Sequence, residues 1–310
     1  MKLYGFIGFI AILSGIVASG CGGGGGSSSS GIGGRIYIAD GNDRIVRVDD
    51  MTGKNWKTFG STGSGVNQFS FPSDVAFDSQ GRIYVSDWSN DRIVRFDNMN
   101  GDGWTTFGTG GTGVGQFNHP YKLAFDDQDR IYILDSDNSR VVRIDDMSGA
   151  NWVEFGSAGT GALQFQGMAS LAVDSQNRIY VGDYALDRIA RVDDMTGANW
   201  TTFGSNGVGV GQFESPGDIV FDANDNMLIA DRGGRVIYTS NMSTTGWASF
   251  NLSYAQSACF DKSGKIYVVD QDAEILSRVD GISGAGLVTL GTSGSGVNQF
   301  DSPSAVRIAK

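Results

Sequence analysis

The sequence predicts an all-β fold, a six-bladed β-propeller of four-stranded blades, on three observations. A block of about 48 residues recurs along most of the chain, each block holds four strand-like runs, and one run is left over near the C-terminus. The repeat is anchored on Gly34-Arg35-Ile36-Tyr37-Ile38-Ala39-Asp40. The anchor returns as Gly81 to Asp87, Asp129 to Asp135, Asn177 to Asp183, Asp225 to Asp231 and Gly264 to Asp270, at steps of 47, 48, 48, 48 and 39 residues. Solenoid repeats of similar length carry helical periods; a period made only of short strands and turns is the pattern of propeller blades.

The second unit displays the four runs well: Asp74 to Phe77, Arg82 to Ser86, Arg92 to Phe96 and Trp104 to Phe107, designated strands a, b, c and d. They are rich in β-branched and aromatic residues and are separated by turn formers such as Asp78-Ser79-Gln80-Gly81. The first unit has b, c and d but no a strand, while Ser304 to Ala309 supplies an a strand with no blade of its own. The expected completion joins that C-terminal run to the N-terminal blade, closing the ring and removing an exposed sheet edge.

The block resembles the NHL repeat in its Phe117-Asn118-His119-Pro120 approach to strand a, its Val85-Ser86-Asp87 to Arg92-Ile93 core and its Gly115-Gln116-Phe117 exit. The resemblance extends from Gly34 to Lys310. It implies a six-bladed ring of a kind that mostly binds proteins, peptides or RNA. Related six-bladed rings include calcium-dependent lactonases, which hold the ion at the axis with Glu, Asn and Asp from different blades, and metal-dependent lyases. A shared fold does not choose among these activities.

Charge narrows the choice. The chain has 34 acidic and 23 basic residues, and loss of residues 1–20 removes only Lys2, leaving 22 − 34 = −12. With no basic face, a nucleic-acid partner is not expected. The recurring strand-c arginines, Arg44 and Arg47, Arg92 and Arg95, Arg140 and Arg143, Arg188 and Arg191, stand beside repeated aspartates and read as structural. Asp40, Asp87, Asp135, Asp183, Asp231 and Asp270 are expected to tie down the b–c turn.

Residues 1–20 read as a lipoprotein-type signal peptide: Lys2 supplies charge, Leu3 to Val17 are largely apolar, and Ala18-Ser19-Gly20 precede Cys21, the expected lipidated residue. Ala18 departs from the Leu that this motif favours. Residues 21–33 form a Gly/Ser-rich tether with a reach of roughly 20 Å, and 34–310 the propeller. The expected location is therefore the bacterial cell envelope, exported and lipid-anchored, with the outer membrane as the expected host. The other cysteine, Cys259, falls in the strand-a slot of Ala76 and Ala124 and reads as a buried, inert thiol.

Catalytic motifs are sparse. His119 is the one histidine, at a slot held by Phe71, Ser215 and Ser302 in other copies, and reads as a surface position rather than a triad member. Gly108-x-Gly110-x-x-Gly113 precedes no helical pattern and belongs to the repeated loop. Asp135-x-Asp137-x-Ser139 and Asp222-x-Asn224-x-Asn226 begin like calcium loops but lack the glycine at the sixth position and the closing glutamate. No catalytic or metal-ligating residue is assigned and no cofactor is expected; calcium held at the axis across several blades is the route to the alternative function.

Recognition is expected where the copies differ. The residue after the repeat aspartate reads Gly41, Trp88, Ser136, Tyr184, Arg232 and Gln271. By contrast Trp56, Trp104, Trp152, Trp200 and Trp247 share one slot at strand d and read as packing residues. The slots opening strand a also vary, with Tyr121-Lys122 the bulkiest pair. Trp88, Tyr121, Lys122, Tyr184 and Arg232 are the candidate ligand-binding residues on the face carrying the b–c loops and d–a crossings. The fifth unit is nine residues short, eight of them between Phe250 and Phe260, which predicts a notch in that rim. The expected function is a non-catalytic binding or assembly scaffold, monomeric, for an envelope or extracellular protein, peptide or glycan. The alternative is a calcium-dependent lactonase-like hydrolase.

Overall fold

The structure is a computed structural model and describes residues 34–309. The leader, Cys21 and the tether lie outside the described residues. Six four-stranded antiparallel sheets are arranged as the blades of a propeller. The first blade combines Ala305–Ile308 with Ile36–Asp40, Arg44–Val48 and Lys57–Phe59; the second is Pro72–Phe77, Ile83–Asp87, Arg92–Phe96 and Thr105–Phe107. The third to sixth begin with strands Pro120–Phe125, Met168–Val173, Pro216–Phe221 and Ser257–Phe260. The a strands of neighbouring blades pack on one another around the axis.

Closure occurs as the spare run requires. Ile36 lies opposite Ile308 and Ala39 opposite Ala305. The Gly34 N–H donates to the Ala309 carbonyl at 2.7 Å. The strand Ile36–Asp40 is thereby paired on both sides.

Strands a and b are buried on both faces because each blade is covered by its neighbours, so they read as continuous apolar runs rather than alternating ones. Tyr37 of the first blade meets Phe77 of the second edge to face, with ring centroids 5.0 Å apart. The strand-d tryptophans pack on the phenylalanines that end the crossings: Trp104 on Phe69 at 5.4 Å, Trp152 on Phe117 at 5.4 Å and Trp200 on Phe165 at 5.6 Å. A strand-c guanidinium covers each of these indoles, from Arg92, Arg140 and Arg188.

Five of the d–a crossings fold back on themselves through a short parallel bridge, such as Thr62 with Phe69 and Ser293 with Phe300. The first strand-c arginine of the blade that follows closes each of them. Arg92 donates to the Gln68 carbonyl at 2.9 Å, Arg140 to Gln116 at 2.9 Å, Arg188 to Gln164 at 2.8 Å, Arg235 to Gln212 at 3.1 Å and Arg44 to Gln299 at 2.8 Å. The crossing from the fifth to the sixth blade is the shortened one, and no such bridge is found there among the described residues. In the sixth blade that arginine position is Ile275. The loop and the side chain that would close it are missing together.

Candidate functional site

The face bearing the b–c loops and d–a crossings is held by one repeated device. Asp87 accepts the Ser70 N–H at 2.7 Å with one carboxylate oxygen and Arg92 Nε at 2.7 Å with the other. Asp135 does the same with Asn118 and Arg140, and Asp231 pairs likewise with the Glu214 N–H and with Arg235, there through Nη2. The aspartates thus clamp the crossing as well as the turn. Their carboxylates are fully buried, and burial pushes Asp40, Asp87, Asp135, Asp183 and Asp231 above the ordinary carboxylate value against the opposing pull of hydrogen bonds and arginines. The residue after each clamp leaves strand b on this face, and at two positions, Tyr184 and Arg232, it reaches the mouth of the ring.

Three of the five candidate residues converge at that mouth. Arg232 Nη2 donates to Tyr121 Oη at 2.9 Å, and the guanidinium carbon lies 6.0 Å from the Tyr121 ring centroid and 5.7 Å from that of Tyr184. A guanidinium over aromatic faces is stabilised by about 0.5–2 kcal/mol per contact, depending on its exposure. Gln256, opening the strand of the sixth blade, donates Nε2 to the same Tyr121 oxygen at 2.7 Å. Tyr184 is 43 % exposed, and Tyr121 and Arg232 are half-buried.

Two glycines make room for this cluster. A Cβ on Gly217 would lie 2.7 Å from Arg232 Nε, and one on Gly167 would lie 2.7 Å from the Tyr184 ring. In the second and third blades the slot of Gly217 holds Ser73 and Tyr121, and that of Gly167 holds Phe71 and His119. Neither glycine has a left-handed backbone, so space rather than conformation calls for them.

Lys122 is not on the exposed surface; it is fully buried. A bulge shifts the register between Pro120 and Lys122 and leaves Tyr121 unpaired at the mouth, while the Lys122 ammonium lies inside, 5.9 Å from the Tyr121 ring centroid. Its Nζ stands 3.6 Å from Asp74 and 3.5 Å from Asp218, carboxylates of the second and fifth blades. Arg307, from the closing strand, reaches the same two carboxylates at 3.4 and 2.9 Å. Ser257 donates to Asp218 at 2.5 Å, and the Leu123 N–H to Asp74 at 3.0 Å. Two cations thus balance two carboxylates at the axis. Burial pushes the Asp218 carboxyl up, but Arg307 and Lys122 outweigh it and hold it below the ordinary value.

Trp88 lies apart from the Arg232 cluster. It opens a short 3-10 turn, Trp88–Asn90, and its ring stacks on His119 with centroids 3.9 Å apart and planes 16° apart, with Phe71 at 5.5 Å. His119 Nδ1 is 2.6 Å from an Asp137 oxygen, and the His119 N–H donates to Asp91 at 2.8 Å, which holds its backbone at φ 56°. The expected single surface is therefore two: Tyr121, Tyr184 and Arg232 at the mouth, and Trp88 with His119 over the second and third blades.

Sequence reasoning missed Asp74, Asp218, Gln256 and Arg307. The first three fall in the variable strand-a slots, so unequal copies signalled them; their meeting at the axis had no linear spacing. Arg307 replaces the small residue of Ala76 and Ala124 and was the one charged side chain in that slot.

A calcium ion does not fit this axis. Asp74 and Asp218 already face Lys122 and Arg307, and among the described residues no three His, Cys, Asp or Glu side chains converge to hold a metal. The two calcium-like stretches are otherwise engaged. Asp222 accepts the Asn224 and Asn226 N–H groups and the Tyr238 hydroxyl, while Asp135 serves the blade clamp.

The model of the NHL repeat family matches residues 69–96 and 117–144, the core strands of the second and third blades. These two blades are NHL repeats. The remaining blades repeat their strand order and antiparallel register, so the ring is six copies of one structural unit. Among solved structures, a chain of a nidogen/laminin complex matches with a TM-score of 0.68 at 18 % identity, covering 89 % of this chain and 98 % of that one. A streptogramin B lyase matches with a TM-score of 0.58 at 14 % identity, over 92 % of this chain and 86 % of that one. A protein of unknown function from Bacteroides caccae matches at 0.63 and 12 % identity, over 90 % and 100 %. Such distant likeness establishes the fold, which these proteins put to different uses.

Proposed function

We propose that this propeller is a non-catalytic binding or assembly scaffold, that it recognises a protein, peptide or glycan through the mouth of its loop face, and that a lipidated Cys21 holds it at the bacterial envelope. The observation that carries the reading is Arg232, which makes no salt bridge among the described residues. It is kept over Tyr121 and Tyr184 by two glycines that the repeat does not demand. Arginine and tyrosine clustered on a rigid frame are the residue types that dominate binding energy at interfaces. The nidogen/laminin neighbour, a propeller within a protein complex, supports use of the fold for binding. The hydrolase alternative has less support because its axial metal conflicts with Lys122 and Arg307.

The test is crosslinking and affinity capture from the native envelope with the full chain and with an Arg232→Ala, Tyr184→Ala variant. The scaffold reading expects a stable partner captured by the first and lost from the second, with unchanged unfolding temperature. Equal capture by both moves recognition elsewhere. A Cys21→Ser variant that stays membrane-bound and normally processed would refute the anchor.

A further inference from the structure

We propose that the mouth is a carboxylate-binding site that takes the C-terminal carboxylate of a peptide end-on; the inference rests on the binding reading above and names its ligand. The functional groups around Tyr121 are unevenly satisfied. Tyr121 Oη accepts from both Arg232 Nη2 and Gln256 Nε2, which occupies its two lone pairs. Its own O–H is left to donate. Arg232 uses one of its five N–H groups in that hydrogen bond. Gln256 is 2 % exposed, and its Oε1 has no hydrogen-bond partner. The site therefore offers a guanidinium and a phenol O–H as donors, with one buried amide oxygen, closed to solvent in this structure, as the acceptor that a ligand would have to uncover.

A carboxylate matches the donors, since guanidinium and phenol hydrogen bonds to an anion are the strong, charge-assisted kind. The single acceptor calls for a ligand N–H close by. The last residue of a peptide carries that pair, one carboxylate and one amide N–H. A sugar acid brings several hydroxyls on each ring, whereas Tyr184, 43 % exposed, presents an aromatic ring suited to an apolar side chain. The net charge is −11, so only a local cation can draw an anion in. Arg232 supplies it, because the other axial cations, Lys122 and Arg307, are matched by Asp74 and Asp218 beneath.

Binding would be measured by fluorescence anisotropy on the full chain. The probe is an N-terminally labelled pool of random hexapeptides, prepared as free acids and as C-terminal amides, with an oligogalacturonate as a third arm. The expected result is saturable binding of the free acids, at least tenfold weaker binding of the amides, and weakening with added salt. Arg232→Gln should lose at least tenfold, with Arg232→Lys intermediate because an ammonium keeps the charge but not the fork. Tyr121→Phe, which removes the phenol donor and should not disturb folding, provides a second variant. Equal binding of acids and amides, binding of the oligogalacturonate alone, no binding in any arm, or indifference to Arg232→Gln would each overturn the proposal. If the peptides fail while Arg232-dependent capture of an envelope partner persists, only the carboxylate inference falls; if that capture fails too, the scaffold reading falls with it.

Discussion

Tyr121 Oη and Gln256 Nε2 meet at 2.7 Å although one residue opens the third blade and the other the sixth. In a six-membered ring those blades are opposite, so this hydrogen bond spans the axis. Directly beneath it Lys122 joins the second and fifth blades through Asp74 and Asp218. Contacts between adjacent blades repeat around the ring, but these two fix its inner width.

Lys122→Met should therefore be severe. Removing one partner of a buried charge cluster costs about 3–5 kcal/mol, because the remaining charges stay buried without compensation. Urea unfolding should register that loss, and adding Asp74→Asn to the same variant should recover part of it. An unchanged unfolding midpoint in the single variant would contradict the axial pairing.

The two tryptophan environments should separate cleanly. Trp104→Ala removes a ring packed against Phe69 and Phe96 and should cost about 3–5 kcal/mol. Trp88→Ala loses a half-exposed stack on His119 and should cost less than half as much. Thermal unfolding of the two variants decides the matter; comparable losses would show that Trp88 serves the frame.

Deleting residues 301–310 removes the strand Ala305–Ile308 and leaves Ile36–Asp40 with an unpaired, apolar edge. Aggregation or oligomer formation in sedimentation velocity is the expected outcome. A monomeric truncation as heat-resistant as the intact domain would rule out dependence on that strand.

The pH dependence follows from the clamps. Asp40, Asp87, Asp135, Asp183 and Asp231 have raised values, so the folded chain binds protons more readily than the unfolded chain as pH falls toward 3.8. Over that window these groups make the fold more stable with acidification. Asp218 and Asp222 have lowered values; their contribution is present above 3.8 and is lost as pH falls through the lowered values. The unfolding temperature should thus hold or rise between roughly pH 7 and 4 and drop only in stronger acid. A steady decline across the first range would contradict burial of the clamps.

Much of the fold was written along the chain because each blade is local. Strand, turn and clamp recur at a fixed spacing, so Asp87 and Arg92 were readable as a pair and Ala305–Ile308 as the missing strand. The site was less legible. Tyr121 meets Arg232 across 111 residues and Gln256 across 135, and no periodicity encodes such pairs. Lys122 was placed at the surface because it falls in a strand-a slot that differs between copies, and such variation is usual at exposed positions; its partners come from two other blades. The stack of Trp88 on His119 depends on how neighbouring loops lean together, which composition does not specify.

The seam of the ring also sets a schedule. Ile36 and Ile308 pair across 308 − 36 = 272 residues, so during synthesis at about 5–20 residues per second the first strand waits on the order of tens of seconds for its neighbour. Until then a short apolar ribbon has one unfilled side, and the latest contact to form is also among the most distant in sequence, the kind that slows folding. Arg307 arrives with that strand. The axial charges reach balance only as the circle shuts, which makes the completed ring, rather than any set of blades, the unit that holds its centre together.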